Sequence, residues 1–227
     1  MTATLEQQFS SHKNLYSPVL YNFMDKQELL ISLRKSGIPR KILEAFAKVR
    51  REDFVPSYTP VKIIYEDIAL SIGYNQTISQ PYTIARMLNL LDLKKGQKVL
   101  EVGSGCGYVL ALISEITEER VYGIERIKEL AEKSRENLKG YDVEIYNKNG
   151  AEGLKEKSPF ERILISAGCK EVPKTLLNQL TDRGILVAPV ENTDEEGCSL
   201  VKIQRKENKF IKSKPIPHFA FVKFVEE

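Results

Sequence analysis

KVLEVGSGCGY, from Lys98 to Tyr108, decides the fold of this 227-residue chain. Val99, Leu100 and Val102 form a short apolar run of the kind a parallel sheet buries on both faces. Gly103, Gly105 and Gly107 follow at alternate positions, where residues without Cβ let the backbone turn sharply and come close to a ligand. Tyr108 to Ile116, YVLALISEI, then continues as an apolar helix. Strand, glycine loop and helix read either as an ordinary strand-to-helix turn or as a nucleotide site, and the loop alone does not choose between them.

The spacing narrows the ligand. A dinucleotide fingerprint would place its third glycine at position 108, three after the second, for tight packing beneath a pyrophosphate; position 108 is Tyr. The pattern is GxGxG, preceded by Glu101, whose carboxylate sits where a cationic group can be held. Arg120 to Ile124, RVYGI, reads as the next strand, and Glu125 at its end lies roughly twenty residues past Gly103, where a carboxylate can accept both ribose hydroxyls. Glu125 also reads as the acid that favours the N-terminus of a helix over IKELAEKSRENL. Glu101, the glycine loop and this second acid resemble the first motifs of class I S-adenosylmethionine-dependent methyltransferases, whose cofactor has a sulfonium and an amino-acid tail but no pyrophosphate.

Composition sets outer limits. A chain with 42% hydrophobic residues can bury a sizeable core as one α/β domain with a small appendage. The net charge of +3, from 34 basic and 31 acidic residues, is too balanced to demand nucleic acid or an anionic membrane as partner. No apolar run approaches the roughly 20 residues of a membrane span, and MTATLEQQFSSHKN lacks the apolar core of a signal peptide, so a cytoplasmic location is expected. Cys106, Cys169 and Cys198 are odd in number without CxxC spacing, which argues against both a disulfide framework and a zinc site. His12 and His218 are the only histidines, so no metal site is expected.

Around this centre the chain reads as an N-terminal extension (1–24), N-terminal helices and a long connector (25–95), a cofactor-binding core (96–190) and C-terminal strands (191–227). Asp25 can cap KQELLISLRKSG, which closes on Gly37, and Pro39 can open RKILEAFAKVR. Segment 52–82 carries turn and strand formers with little helical period, and ordered connectors of that length are usually functional. Val143 to Tyr146, Arg162 to Ser166 and Ile185 to Val190 read as further strands, with a helix from Pro173 to Leu180 and Gly184 as punctuation. This alternation implies a doubly wound, mostly parallel Rossmann-like sheet. Ser199 to Gln204 and Phe219 to Phe224 read as antiparallel strands added at one edge.

The stretch before the first core strand supplies the acceptor. SIGYNQTISQPY, Ser71 to Tyr82, followed by a helix of small and apolar residues, strongly resembles the signature of protein-L-isoaspartate O-methyltransferases, which methylate isoaspartyl residues in damaged proteins. DFVP at 53–56, VLEVGSGCGY at 99–108, SPFERILISAG at 158–168 and LLNQLTDRGILVAPV at 176–190 match that family in the same order. The resemblance implies a single methyltransferase domain over 25–227, with S-adenosylmethionine as cofactor and isoaspartyl proteins and peptides as substrates. It implies Ser79 as catalytic residue, Gln76, Thr77, Ile78 and Val190 at the substrate, and Glu101, Gly103, Ser104, Gly105, Gly107, Glu125, Asn149 and Gly150 at the cofactor.

The chemistry agrees with those residue types. An aspartyl-type acid is already ionised at pH 7, so methyl transfer to it needs no general base and depends on proximity and alignment. Hydroxyl and amide groups on Gln76, Thr77 and Ser79, with backbone N–H groups at the next helix start, suit an anion. Ser79 also reads as the cap of that helix, with Pro81 in its first turn. Two positions depart from the family pattern. Asn149 stands where an acid usually meets the adenine amine, unless Glu152 takes over. Glu191 replaces the glycine after Pro189-Val190, and a carboxylate there would repel the substrate unless it faces solvent or a lysine. Two other functions stay open on sequence alone: a methyltransferase of this fold with a different acceptor, and a non-catalytic relative.

Overall fold

Asp25 caps α1 (Lys26–Lys35) as its sequence implies. Its carboxylate accepts from the N–H groups of Gln27 and Glu28, and the Glu28 carboxylate accepts from the Asp25 N–H, closing a capping box. α2 (Arg40–Lys48) follows, with Pro39 as its N-cap. The connector holds more structure than its composition suggests. Short 3₁₀ turns at Arg51–Phe54 and Val61–Ile63 lead into a hairpin of β1 (Leu70–Gly73) and β2 (Gln76–Ile78). Tyr74 and Asn75 both take φ 55°, the left-handed pair a tight hairpin requires but Tyr rarely adopts. α3 (Pro81–Leu91) has Gln80 as N-cap and no side-chain cap, so Ser79 lies one residue outside the position expected for it.

In this computed structural model, which describes residues 24–193, 196–207 and 209–225, the VLEV run is the central strand β3 (Val99–Val102), buried at all four positions. The N-terminal extension before residue 24 lies outside the described residues. The glycine loop leads into α4 (Tyr108–Thr117), β4 (Val121–Glu125), α5 (Lys128–Asn137) and β5 (Val143–Asn147). The chain then crosses back to β6 (Phe160–Ile165), α6 (Lys174–Asn178) and β7 (Leu180–Glu191). These five strands run parallel in the order β5-β4-β3-β6-β7. β8 (Cys198–Lys206) pairs antiparallel with β7, while β9 (Lys209–Lys212) and β10 (Ile216–Phe219) pair antiparallel with β8. The order reverses between β3 and β6, and α/β sheets bind ligands at the carboxyl ends of strands beside such a reversal.

Alternate strand residues feed two cores. Val99, Val121, Ile145, Leu164 and Val187 join the core formed with α1 to α5. Leu100, Tyr122, Ile163, Ile165 and Leu186 face the other, which α6, the 3₁₀ turns Gly150–Glu152 and Lys155–Lys157 and the tail at Phe224 cover. The sheet is doubly wound as expected, with most of its helical mass on one side.

Three boundaries differ from expectation. Gly184 does not precede a strand but sits inside β7, which already begins at Leu180 opposite Phe160. The register slips between that pair and Arg162–Ile185, and Arg183 at φ 62° takes up the extra chain. β9 went unread because its four residues are all exposed and carry no apolar alternation. FAFVKF is not an edge strand: β10 stops at Phe219, and the tail leaves the sheet to lie beside the end of β6. There Gly168 N–H donates to the Val222 carbonyl and Phe224 N–H to the Gly168 carbonyl, both at 2.8 Å.

α4 approaches the sheet over Gly123, where a Cβ would meet Leu110 Cδ1 at 2.6 Å and Ile145 Cδ1 at 3.0 Å. Gly123→Ala is therefore expected to destabilise the fold by about 1–3 kcal/mol through overpacking, measured as a lower denaturant midpoint at unchanged slope.

Candidate functional site

Gly103, Gly105 and Gly107 have φ of 83°, 52° and 88°, so the loop is a left-handed turn that side chains would strain. It is tied to the neighbouring strand. Gly103 and Ser104 N–H groups both donate to the Ile124 carbonyl, and Gly105 N–H donates to Glu125 Oε2 at 2.8 Å. Glu125 Oε1 accepts from Ile127 N–H at 2.8 Å, just before α5. Glu125 thus serves the helix start, as one of its sequence readings has it, and also lines the first cleft. Each carboxylate oxygen retains a lone pair for a further donor.

Two adjoining clefts, of about 580 and 440 Å³ with their open mouths included, share Thr77, Gly103, Gly105 and Ser166. The first is walled by Gln76, Glu125, Gly150 and the tail at Val222–Val225. The second holds Ile78, Ser79, Glu101, Ser104, Cys106 and Tyr108. Glu101 is 1% exposed: Ser166 Oγ donates to its Oε1 at 2.6 Å, and Oε2 is buried without a partner. Burial, aided by the nearby Glu125 charge and opposed by the Ser166 bond, pushes the Glu101 carboxyl up to about 8. It is therefore mostly protonated at neutral pH until a cation meets it. Burial likewise holds the Cys106 thiol at about 11, too high to act as a nucleophile.

On the acceptor side, Ser79 follows β2 and lines the second cleft. Among the described residues its hydroxyl has no hydrogen-bond partner, while its backbone carbonyl accepts from Arg51 Nη2 at 3.0 Å. Thr77 is exposed beside it, and Gln76 Nε2 donates to the Tyr74 carbonyl across the hairpin turn. At the α3 N-terminus the Asp67 carboxylate accepts the Tyr82 N–H at 2.7 Å, so one of the N–H groups read as facing an anion is already engaged.

Other positions fall elsewhere. Val190 lines a separate open depression with Glu191, Lys170 and Lys212, away from Ser79. Glu191 therefore does not face the acceptor cleft. Asn149 lies next to Gly150 but accepts from Ala151 N–H at 2.9 Å, capping the short turn. Glu152 does not replace it, since it faces Lys148 at 3.4 Å on the surface. Ser166 and the tail were not singled out in the sequence. The Ser-Ala-Gly after β6 marked a loop at the carboxyl end of a core strand, which is where such sites form, whereas nothing in the tail predicted that it leaves the sheet.

The sheet order, the left-handed glycine loop after β3 and the acid closing β4 agree with the resemblance to S-adenosylmethionine-dependent methyltransferases. The residues fit that cofactor: Glu101 Oε2 is an unpartnered acceptor for a cationic amine. Gly105 and Gly150 line the first cleft while packed so closely that a Cβ would meet Ile72 at 3.1 Å or Val102 at 2.4 Å, so only bare backbone fits there.

The sequence profile of protein-L-isoaspartate(D-aspartate) O-methyltransferase matches residues 24–227. The protein-L-isoaspartate O-methyltransferase of Dictyoglomus turgidum is 43% identical over 190 residues, covering 82% of this chain and 84% of that one. That of Ignicoccus hospitalis is 43% identical over 210 residues, covering 89% and 98%. A solved protein-L-isoaspartate O-methyltransferase superposes with a TM-score of 0.80 at 28% identity over 87% of this chain and 65% of that one. A Plasmodium falciparum structure described as a protein of the same kind, in complex with S-adenosyl-L-homocysteine, gives 0.75 at 27% identity over 90% and 100%. The chain belongs to the protein-L-isoaspartate(D-aspartate) O-methyltransferase family.

A buried carboxyl raised above its unfolded value stabilises the fold below about pH 4.3 to the full extent, and that stability is lost as pH climbs toward 8. The cofactor-free protein should lose melting temperature across this window, and Glu101→Gln should flatten the loss. Equal slopes for the two proteins would mean that Glu101 titrates normally.

Proposed function

We propose that this chain transfers a methyl group from S-adenosylmethionine to the free carboxylate of isoaspartyl residues in damaged proteins and peptides, the first step of their repair. The observation that carries the reading is the Ser79 hydroxyl, without a partner among the described residues, lining the cleft that also contains Glu101 and the glycine loop. Residues 25–227 act in this reading as one methyltransferase unit.

The bound cofactor supplies a methyl group on a sulfonium. Gly103, Ser104, Gly105 and Gly107 form the turn that receives it, Glu101 takes its amino group and Glu125 its ribose hydroxyls. Gly150 walls the adenine end; Asn149 is the weakest member of the set, because its amide oxygen is already shared with Ala151 N–H. Ser79 Oγ donates to one oxygen of the acceptor carboxylate and turns the other toward the methyl carbon. Thr77 and Ile78 line the peptide path, and Gln76 stands where that path meets the cofactor cleft. Val190 lies in a different depression, so a substrate contact there would involve chain remote from the reacting carboxylate. The acceptor arrives ionised, so no residue has to remove a proton, and catalysis rests on alignment.

Recognition of a backbone lesion suits broad selection among flexible peptides. The balanced surface charge supports action without nucleic acid or membrane, in the cytoplasm; among the described residues no helix is long and apolar enough to cross a membrane.

A hydrogen bond to a charged acceptor is worth about 1.5–3 kcal/mol, so Ser79→Ala should cut turnover of an isoaspartyl peptide roughly ten- to hundredfold. Calorimetric binding of S-adenosyl-L-homocysteine should stay unchanged. Wild-type turnover would remove Ser79 from the mechanism. A radiolabelled-methyl assay that favoured normal aspartyl peptides or small acids over isoaspartyl ones would remove the acceptor assignment.

A further inference from the structure

Arg51 is fully buried, and it opens a 3₁₀ turn well before the acceptor segment. Its guanidinium binds the carbonyls of three separate stretches of the connector. Nε donates to Ile64 at 3.0 Å, and Nη2 donates to Ser79 at 3.0 Å and to Ile68 at 3.4 Å. The same group lies over the Tyr108 ring, 5.2 Å from its centroid, in the first turn of α4 directly after the glycine loop. Nη1 is buried with no partner, and among the described residues no carboxylate forms an ion pair with Arg51.

The Asp67 charge lies near enough to favour the guanidinium but makes no ion pair with it, and a buried guanidinium in that state is costly, with an unpaired N–H adding to the cost. Neutral residues would fill the same volume more stably. What the planar fork does that an apolar side chain cannot is hold several carbonyls in fixed relation while stacking on an aromatic face. Here those carbonyls include that of Ser79, and the face belongs to the helix that follows the cofactor loop.

We propose that Arg51 is the positioning residue of the acceptor site. Joined to the Ser79 carbonyl and braced on Tyr108, it keeps the Ser79 hydroxyl in register with the glycine loop. The inference rests on Ser79 being the residue that orients the acceptor carboxylate. Arg51 touches no reacting atom and acts through Ser79.

The test is a double-mutant cycle on the full chain, with Arg51→Met, Ser79→Ala and the combined variant assayed on an isoaspartyl peptide, alongside calorimetry with S-adenosyl-L-homocysteine. Arg51→Met should lose roughly a hundredfold in kcat, the scale of a misplacement of about 1 Å, with KM for the peptide less affected. In the Ser79→Ala background the same change should cost less than about threefold, because coupled residues are not additive. S-adenosyl-L-homocysteine affinity should stay within about threefold of wild type, since Arg51 is placed at the acceptor rather than the cofactor. Arg51→Lys keeps the charge and the stem, and covers the case in which Arg51→Met does not fold. A single ammonium nitrogen cannot occupy the separate positions of Nε and Nη2 at once, so Arg51→Lys should still lose at least about tenfold in kcat.

Wild-type kcat in either folded variant overturns the proposal, as does an equal loss in both backgrounds. Wild-type turnover in Ser79→Ala alone would instead refute the assignment of Ser79, a distinct outcome from failure of Arg51 to couple to it.

Discussion

The turn from Gly103 to Gly107 holds its shape because it is hydrogen-bonded to the end of the next strand. Ile124 receives two N–H groups from the loop and Glu125 a third, so β4 serves as the template on which the loop is laid. That dependence organises the site. Glu101 lies buried beneath the loop, Ile72 of the hairpin packs over Gly105, and α4 can start at Gly107 only because that residue adopts φ 88°. Removing the Glu125 carboxylate would free the Gly105 N–H and the Ile127 N–H together, loosening loop and helix start in one change.

The acceptor half is built differently. Its hairpin leaves Thr77 and Tyr74 exposed, Arg51 reaches the Ser79 carbonyl from the 3₁₀ turn, and Ser166 from the end of β6 and Val222 from the tail line one depression with Thr77 and Ser79. The cofactor half relies on backbone geometry that glycine allows at low cost, whereas the acceptor half relies on side chains reaching across the fold. Substitutions in the two halves therefore act by different means, through strain in the first and lost orientation in the second.

That contrast also explains what was legible in the sequence. The parallel strands, the glycine loop and the acid after β4 are local patterns, in which apolar runs and positive-φ glycines carry their own signal. Glu101 and Glu125 stand out because they sit inside such patterns, whereas Ser79 and Thr77 are named through the resemblance of SIGYNQTISQPY to the family signature. Arg51 and Ser166 matter through partners 28 and 65 residues away, and no local spacing encodes a contact of that kind. The same holds for Val190, whose neighbours in sequence match the family while its side lies in another depression. The hairpin at 70–78 was missed for a local reason, since Tyr-Asn fills a turn usually written Asn-Gly. The tail was misread because alternating aromatics look like a strand, whereas Phe221 packs toward one core and Phe224 toward the other.

Asn149 and Gly150 form the dipeptide that ages most readily into isoaspartate, by attack of the glycine nitrogen on the asparagine side-chain carbon to give a cyclic imide. Ring closure needs that nitrogen rotated toward the Asn149 side chain. In this fold Asn149 is extended, with ψ 126°, and its amide oxygen is held by Ala151 N–H, while Gly150 is pressed against Val102. The capped turn beside the cofactor cleft thus keeps the chain's own most vulnerable peptide link in a shape that resists the lesion the enzyme acts on in others.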